Sequence, residues 1–169
     1  ASGASGGIAL EPGASVVTVT GSSGADTVTA NAGVISFSGG TGNDTLSAGT
    51  TWAGTDVFDG GAGHDTLVVT SDFEPTNSGP TSGSTILAGL SNVEEIKMDV
   101  AFNANANTGT ITLDKAIDGL TTIDLTNTGS QKLNINDGFT GPLTVQIADA
   151  DSTSTDSIIN SANIDLTVT

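Results

Sequence analysis

Three aspartates, Asp26, Asp44 and Asp65, stand at one place in a recurring phrase: "GSSGADTV", "GGTGNDTL" and "GGAGHDTL". Each follows a glycine-rich turn and precedes an apolar residue by two positions. A carboxylate held in such a turn is a hard oxygen donor. Glycine adds to it by letting backbone carbonyls approach closely. The chemistry this pattern suits is the binding of a hard cation. Charge composition narrows which cation. There are 19 acidic residues against three lysines (Lys97, Lys115, Lys132), no arginine, and no lysine at all before Lys97. The counter-ion for the three aspartates is therefore expected to be a metal ion rather than a side chain. With no cysteine and one histidine, His64, a thiolate or zinc site lacks its ligands.

Other chemistries find little support. "GASGG" at Gly3 to Gly7 fits G-x-S-x-G formally, but no strand precedes it. His64 occupies a spacer position in a turn and has no second imidazole to work with. Glu94 and Glu95 are adjacent, so in a strand they face opposite ways and do not form a catalytic pair. Asn43 begins a formal glycosylation sequon that lies inside a motif turn, and Trp52 reads as an anchor for an inserted loop. The chain is read as a non-enzyme. A formal net charge of −16 argues against nucleic acid and anionic membranes as partners. No apolar run approaches a membrane span, so membrane insertion is not expected.

The elements that position the aspartates follow from their apolar neighbours. Val19, Val28, Phe37 and Leu46 are spaced by nine residues. Phe58 follows after twelve and Leu67 after nine more, which places one three-residue insertion near "TTWAG". Nine residues suit a strand of three and a turn of six, and two such units close one coil of a flattened solenoid. Asp26, Asp44 and Asp65 then share one edge, while Ile35 and Asp56 share the other. Abundant Thr, Val and Ile with 23 glycines agree with short strands and tight turns. The fold class is all-β.

"GGTGNDTLS" and "GGAGHDTLV" resemble the nine-residue G-G-x-G-x-D-x-U-x unit of the RTX, or haemolysin-type, calcium-binding repeats. "GSSGADTVT" fits with Ser22 in place of the second glycine, and "AGTDVF" keeps only the second half. The resemblance covers roughly Val16 to Val69. It implies a parallel β-roll, a β-solenoid with calcium-binding turns, in which Ca²⁺ lies between turns of successive coils. Carried over by position, Asp26, Asp44 and Asp65 ligate through side chains. Gly24, Gly40, Gly42, Gly61 and Gly63 shape the turns and, with their neighbours, offer backbone oxygens. Asp56, opposite a non-ligating Ile35, is a weaker candidate. Asp44, between the other two, could serve an ion on each side.

Residues 1–70 are thus read as the calcium-binding roll, 71–84 as a surface loop with two prolines, and 85–169 as a continuation rich in strands. "LAGLSNVEEIKMDV" resembles a segment that follows such repeats in large exported bacterial proteins, including surface-layer proteins. The pairs Ile111/Leu113, Ile123/Leu125, Leu133/Ile135, Leu143/Val145 and Ile164/Leu166 alternate in and out as half-buried strands do, and Ile96/Met98 could begin the series. Their spacing favours a looser solenoid, with a β-sandwich as the alternative. "DADSTSTD" (Asp149 to Asp156) reads as an acidic solvated loop, with an additional calcium site as the alternative. The start, "ASGASGG", suggests a processed or excised piece of a longer chain. Two functions are consistent with this reading. One is a structural segment of an extracellular, cell-surface bacterial protein (surface layer, matrix filament or adhesin), rigidified by calcium and associating with itself or with neighbouring domains of its parent. The other is the calcium-dependent C-terminal folding and secretion domain of a type I-secreted enzyme or toxin.

Overall fold

A computed structural model of the chain describes residues 8–10, 16–30, 33–48, 52–70, 87, 89–99, 109–113, 117–125, 131–135, 139–147, 157–160 and 165–169. The loop expected at 71–84, the "GASGG" segment, Ile164 and the Asp149 to Asp156 loop lie outside them. Among the described residues every regular element is a strand, and none is a helix able to cross a membrane.

The strands alternate between faces. One parallel sheet of eight takes β1 (Ile8–Leu10), β3 (Thr27–Ala30), β5 (Thr45–Ser47), β7 (Thr66–Thr70), β9 (Glu95–Asp99), β11 (Thr122–Leu125), β13 (Leu143–Ile147) and β15 (Leu166–Val168), in that order. The facing strands form two shorter sheets. The first is β2 (Val17–Thr20), β4 (Ile35–Thr41), β6 (Val57–Ala62) and β8 (Leu90–Ser91). The second is β10 (Gly109–Leu113), β12 (Gln131–Ile135) and β14 (Ser157–Asn160). Consecutive strands never pair with each other, and every pairing is parallel. This is a β-solenoid. A sandwich of hairpins is excluded by that pairing.

The apolar ladder sets the register. Val28 pairs with Leu46, Leu46 with Leu67, Leu67 with Ile96, Ile96 with Ile123 and Ile123 with Val145. All six side chains are buried. On the facing sheet Val19, Phe37, Phe58 and Leu90 form the matching column, and the Phe37 and Phe58 rings stack at 5.2 Å with an interplanar angle of 3°. Burying each Phe or Leu stabilises the fold by about 1.5–3 kcal/mol. A slip of one residue would turn the whole column to solvent, where Thr27, Thr45, Thr66, Thr122 and Thr144 now stand.

One expectation needs correction. β4 and β6 are longer than three residues, because Gly40 pairs with Gly61 and Thr41 with Ala62, which carries the ladder into the glycine turn. Trp52 is buried in the core at the insertion. The alternating pairs of the second half fall on β10 to β13 in turn, odd strands on the long sheet and even strands opposite.

Candidate metal centre

The corner entering the long sheet is built from the motif aspartates, each one residue before its strand. Asp26, Asp44 and Asp65 are all buried, the last two completely. The Asp44 and Asp65 carboxylates each reach back one coil. Asp44 Oδ1 accepts from the Asp26 N–H at 2.7 Å, and Asp65 Oδ1 accepts from the Asp44 N–H at 2.7 Å. The column has a fourth member that its spacing concealed. Glu94 Oε2 accepts from the Asp65 N–H at 2.7 Å.

The second carboxylate oxygens separate the sites. Asp26 Oδ2 accepts from the Ser22 N–H at 2.7 Å and from the Ser22 hydroxyl at 3.0 Å. Asp44 Oδ2 and Asp65 Oδ2 are buried without any hydrogen-bond partner. Leaving a buried acceptor unpaired costs about 1–3 kcal/mol, and more when it carries charge. Burial pushes both carboxyls above their ordinary range. The N–H from the preceding coil opposes that shift, and the neighbouring carboxylates add to it: Asp26 beside Asp44, and Asp44 and Glu94 beside Asp65.

Glycine makes room beside these oxygens. A Cβ on Gly39 would strike Asp44 Oδ2 and come within 2.5 Å of the Gly60 carbonyl oxygen. One on Gly60 would strike the Asn92 carbonyl oxygen and come within 2.5 Å of Asp65 Oδ2. Each orphaned carboxylate thus lies in a cradle with a carbonyl of the following coil. Gly40, Gly42, Gly61 and Gly63 have positive φ, and Cβ atoms there would collide with Ser22, Gly24, Gly40 and Gly42 of the coil before. Stacked turns this close admit only glycine. Gly24 lacks such a clash of its own, but its carbonyl lies 2.9 Å from where a Gly42 Cβ would stand.

The other edge is different. Asp56 is buried, but Oδ1 accepts from the Ile35 N–H at 2.9 Å and Oδ2 from the Ala53 N–H at 2.7 Å. It staples the inserted loop to the coil before. His64 is exposed, with Nδ1 3.9 Å from Glu95 Oε2. Among the described residues no three His, Asp or Glu side chains converge on one point. A cation at this corner must therefore take most of its oxygens from turn carbonyls, a donor set that suits calcium.

Family models match the RTX calcium-binding nonapeptide repeat, in four copies, to residues 18–34 and 36–67. Residues 18–67 are RTX calcium-binding repeats. No curated protein and no solved structure matches the chain. The RTX repeats imply Ca²⁺, and the cradles fit it, since each joins an unpaired buried carboxylate oxygen to a carbonyl of the next RTX coil or its continuation. Bound there, calcium would supply the positive charge that the repeats themselves lack, since no lysine precedes Lys97.

Sequence spacing missed Gly39 and Gly60, Ser22 as the partner of Asp26, and the turn of Asn92 and Glu94. A signal for Glu94 was present. It precedes Ile96 by two residues, as Asp65 precedes Leu67.

Proposed function

We propose that this chain is a calcium-stabilised structural segment of a bacterial extracellular protein, such as a surface layer, matrix filament or adhesin. The observation that carries the proposal is the pair of buried, unpartnered carboxylate oxygens, Asp44 Oδ2 and Asp65 Oδ2, in the corner of a continuous solenoid. Calcium neutralises them and joins successive coils, which converts a soft stack of glycine turns into a stiff rod. RTX repeats typically occur in exported bacterial proteins, which supports an extracellular setting. The scaffold role is favoured over a secretion appendage because the long sheet runs on without interruption from β7 through β9 to β13, well past the repeats. That extension enlarges the rod.

The segment acts by shape, as a non-enzyme whose partners are calcium ions and further solenoid. Those further coils belong to a second copy or to neighbouring domains of a longer parent. Electron microscopy of the protein with and without calcium tests this role. Rods or arrays that form in calcium and disperse in chelator are expected. A strict monomer at high concentration in millimolar calcium, by sedimentation, would contradict self-association.

A further inference from the structure

We propose that the cradle over Gly60 is a calcium site whose outer half is the Asn92–Glu94 turn, beyond the last repeat. This inference rests on the calcium reading of the repeats, but the residues that complete the site are not repeat residues. The repeat match ends at residue 67. Asp65 Oδ2 is nevertheless buried, unpaired and directed into a cradle closed by the Asn92 carbonyl oxygen.

Asn92 takes the place that a turn glycine would hold. The pairing of Phe58 with Leu90 and Asp59 with Ser91 sets Gly60 opposite Asn92. Asn92 has φ of 50°, the one non-glycine residue in the left-handed region among those described. Asparagine tolerates that conformation better than most side chains. Its Nδ2 donates to Asp59 Oδ1 at 2.7 Å, which holds the turn in place. The turn from Asn92 to Glu94 is three residues shorter than that from Gly60 to Asp65, and glutamate's extra methylene lets the carboxylate still reach the Asp65 N–H. Glu94 Oε1 lies toward the next coil, 2.8 Å from where a Cβ on Gly119 would stand. Asp65 and Glu94 together bring two negative charges, matching one divalent ion. Asp65 is the ligand, and Glu94 balances charge and positions it.

The test counts ions on the full chain by equilibrium dialysis and follows melting with and without chelator. Wild type is expected to take up two calcium ions, one at each orphaned carboxylate. Glu94→Gln keeps size and an acceptor for the Asp65 N–H but removes the charge. It should weaken one ion by about ten- to a hundredfold and leave the other unchanged. Its melting should fall in calcium yet hold or rise in chelator, because a like charge beside Asp65 is gone. A purely structural Glu94 would lower melting in both conditions with the ion count intact, and that result overturns the proposal. Wild type that takes up no calcium overturns the calcium reading as a whole. One ion that is lost in Asp44→Asn and kept in Asp65→Asn leaves that reading standing and removes the junction site alone.

Discussion

Along one corner of the solenoid, successive coils present Asp26, Asp44, Asp65 and Glu94, and farther on Thr121, Leu143 and Leu166. The backbone does the same thing in both regions. Thr66 N–H bonds to the Asp44 carbonyl at 2.9 Å, and Thr144 N–H bonds to the Thr121 carbonyl at 2.8 Å. The filling differs. In the first region the corner is a stack of glycines around buried carboxylates. In the second, Leu143 occupies the column itself, and Leu120 and Phe139 are buried in the core. The second region also has its own cation, since Lys97 Nζ lies 2.6 Å from the buried Asp124 Oδ2. One solenoid thus fills this corner in two ways: with buried carboxylates whose second oxygens are left unpaired at Asp44 and Asp65, or with apolar side chains such as Leu143.

The largest effect is expected from exchanging the two solutions. Leu143→Asp removes a core side chain and puts an unpaired carboxylate in an apolar corner. A loss of roughly 4–5 kcal/mol is expected, read from urea denaturation. Calcium should not restore it, because no repeat turn is there to supply carbonyls.

Next in size are Asp44→Asn and Asp65→Asn. Each should lose one ion. At a hundredfold excess of calcium over its dissociation constant, that forfeits about 2.7 kcal/mol of stabilisation per site. In chelator the sign should reverse, since the amide removes a buried charge that nothing neutralises. Melting in both conditions checks the crossing. Asp56→Asn should leave the ion count unchanged, as both Asp56 oxygens are already taken up by backbone N–H groups.

This second set also marks where the sequence was legible. The nine-residue ladder foretold the coils, the faces and the Asp26–Asp44–Asp65 edge, because apolar stacking and glycine turns are both local and periodic. It did not reveal that Asp26 differs from its neighbours. That distinction depends on where the Ser22 hydroxyl points, and the motif records Ser22 only as a departure. Glu94 escaped because the turn before it is three residues shorter, which broke the period while the contact survived. Adjacent glutamates suggested opposite faces of a strand, whereas Glu94 stands at the corner and β9 begins at Glu95. Asp56 shared a register position with real promise. Whether a carboxylate is free or spent on backbone donors is a three-dimensional fact.

A smaller effect follows from acidity. Asp44 and Asp65 have carboxyl pKa values raised chiefly by burial, so without calcium the folded state binds more protons than the unfolded state just above the ordinary carboxyl value. Stability in chelator should therefore be greatest below that value and decline as pH rises through the raised pKa values. Calcium competes with those protons, so its affinity should climb over the same range. Chelator melts at a series of pH values rising from the ordinary carboxyl value of about 4 would show the decline. The opposite slope would mean that these carboxylates are already satisfied in the metal-free protein.

The smallest effect belongs to Ser22→Ala. It removes the hydroxyl bond to Asp26 and keeps the backbone one, at a cost of about 0.5–1.5 kcal/mol. The calcium count should not change.

The central claim is that the first region depends on calcium for its order and the second does not. Hydrogen exchange followed by mass spectrometry, with and without calcium, measures this strand by strand. In chelator, β3 to β7 are predicted to exchange rapidly while β11 and β13 stay protected, and calcium restores protection to β3 to β7. Equal protection of β3 to β7 in chelator and in calcium would contradict the account.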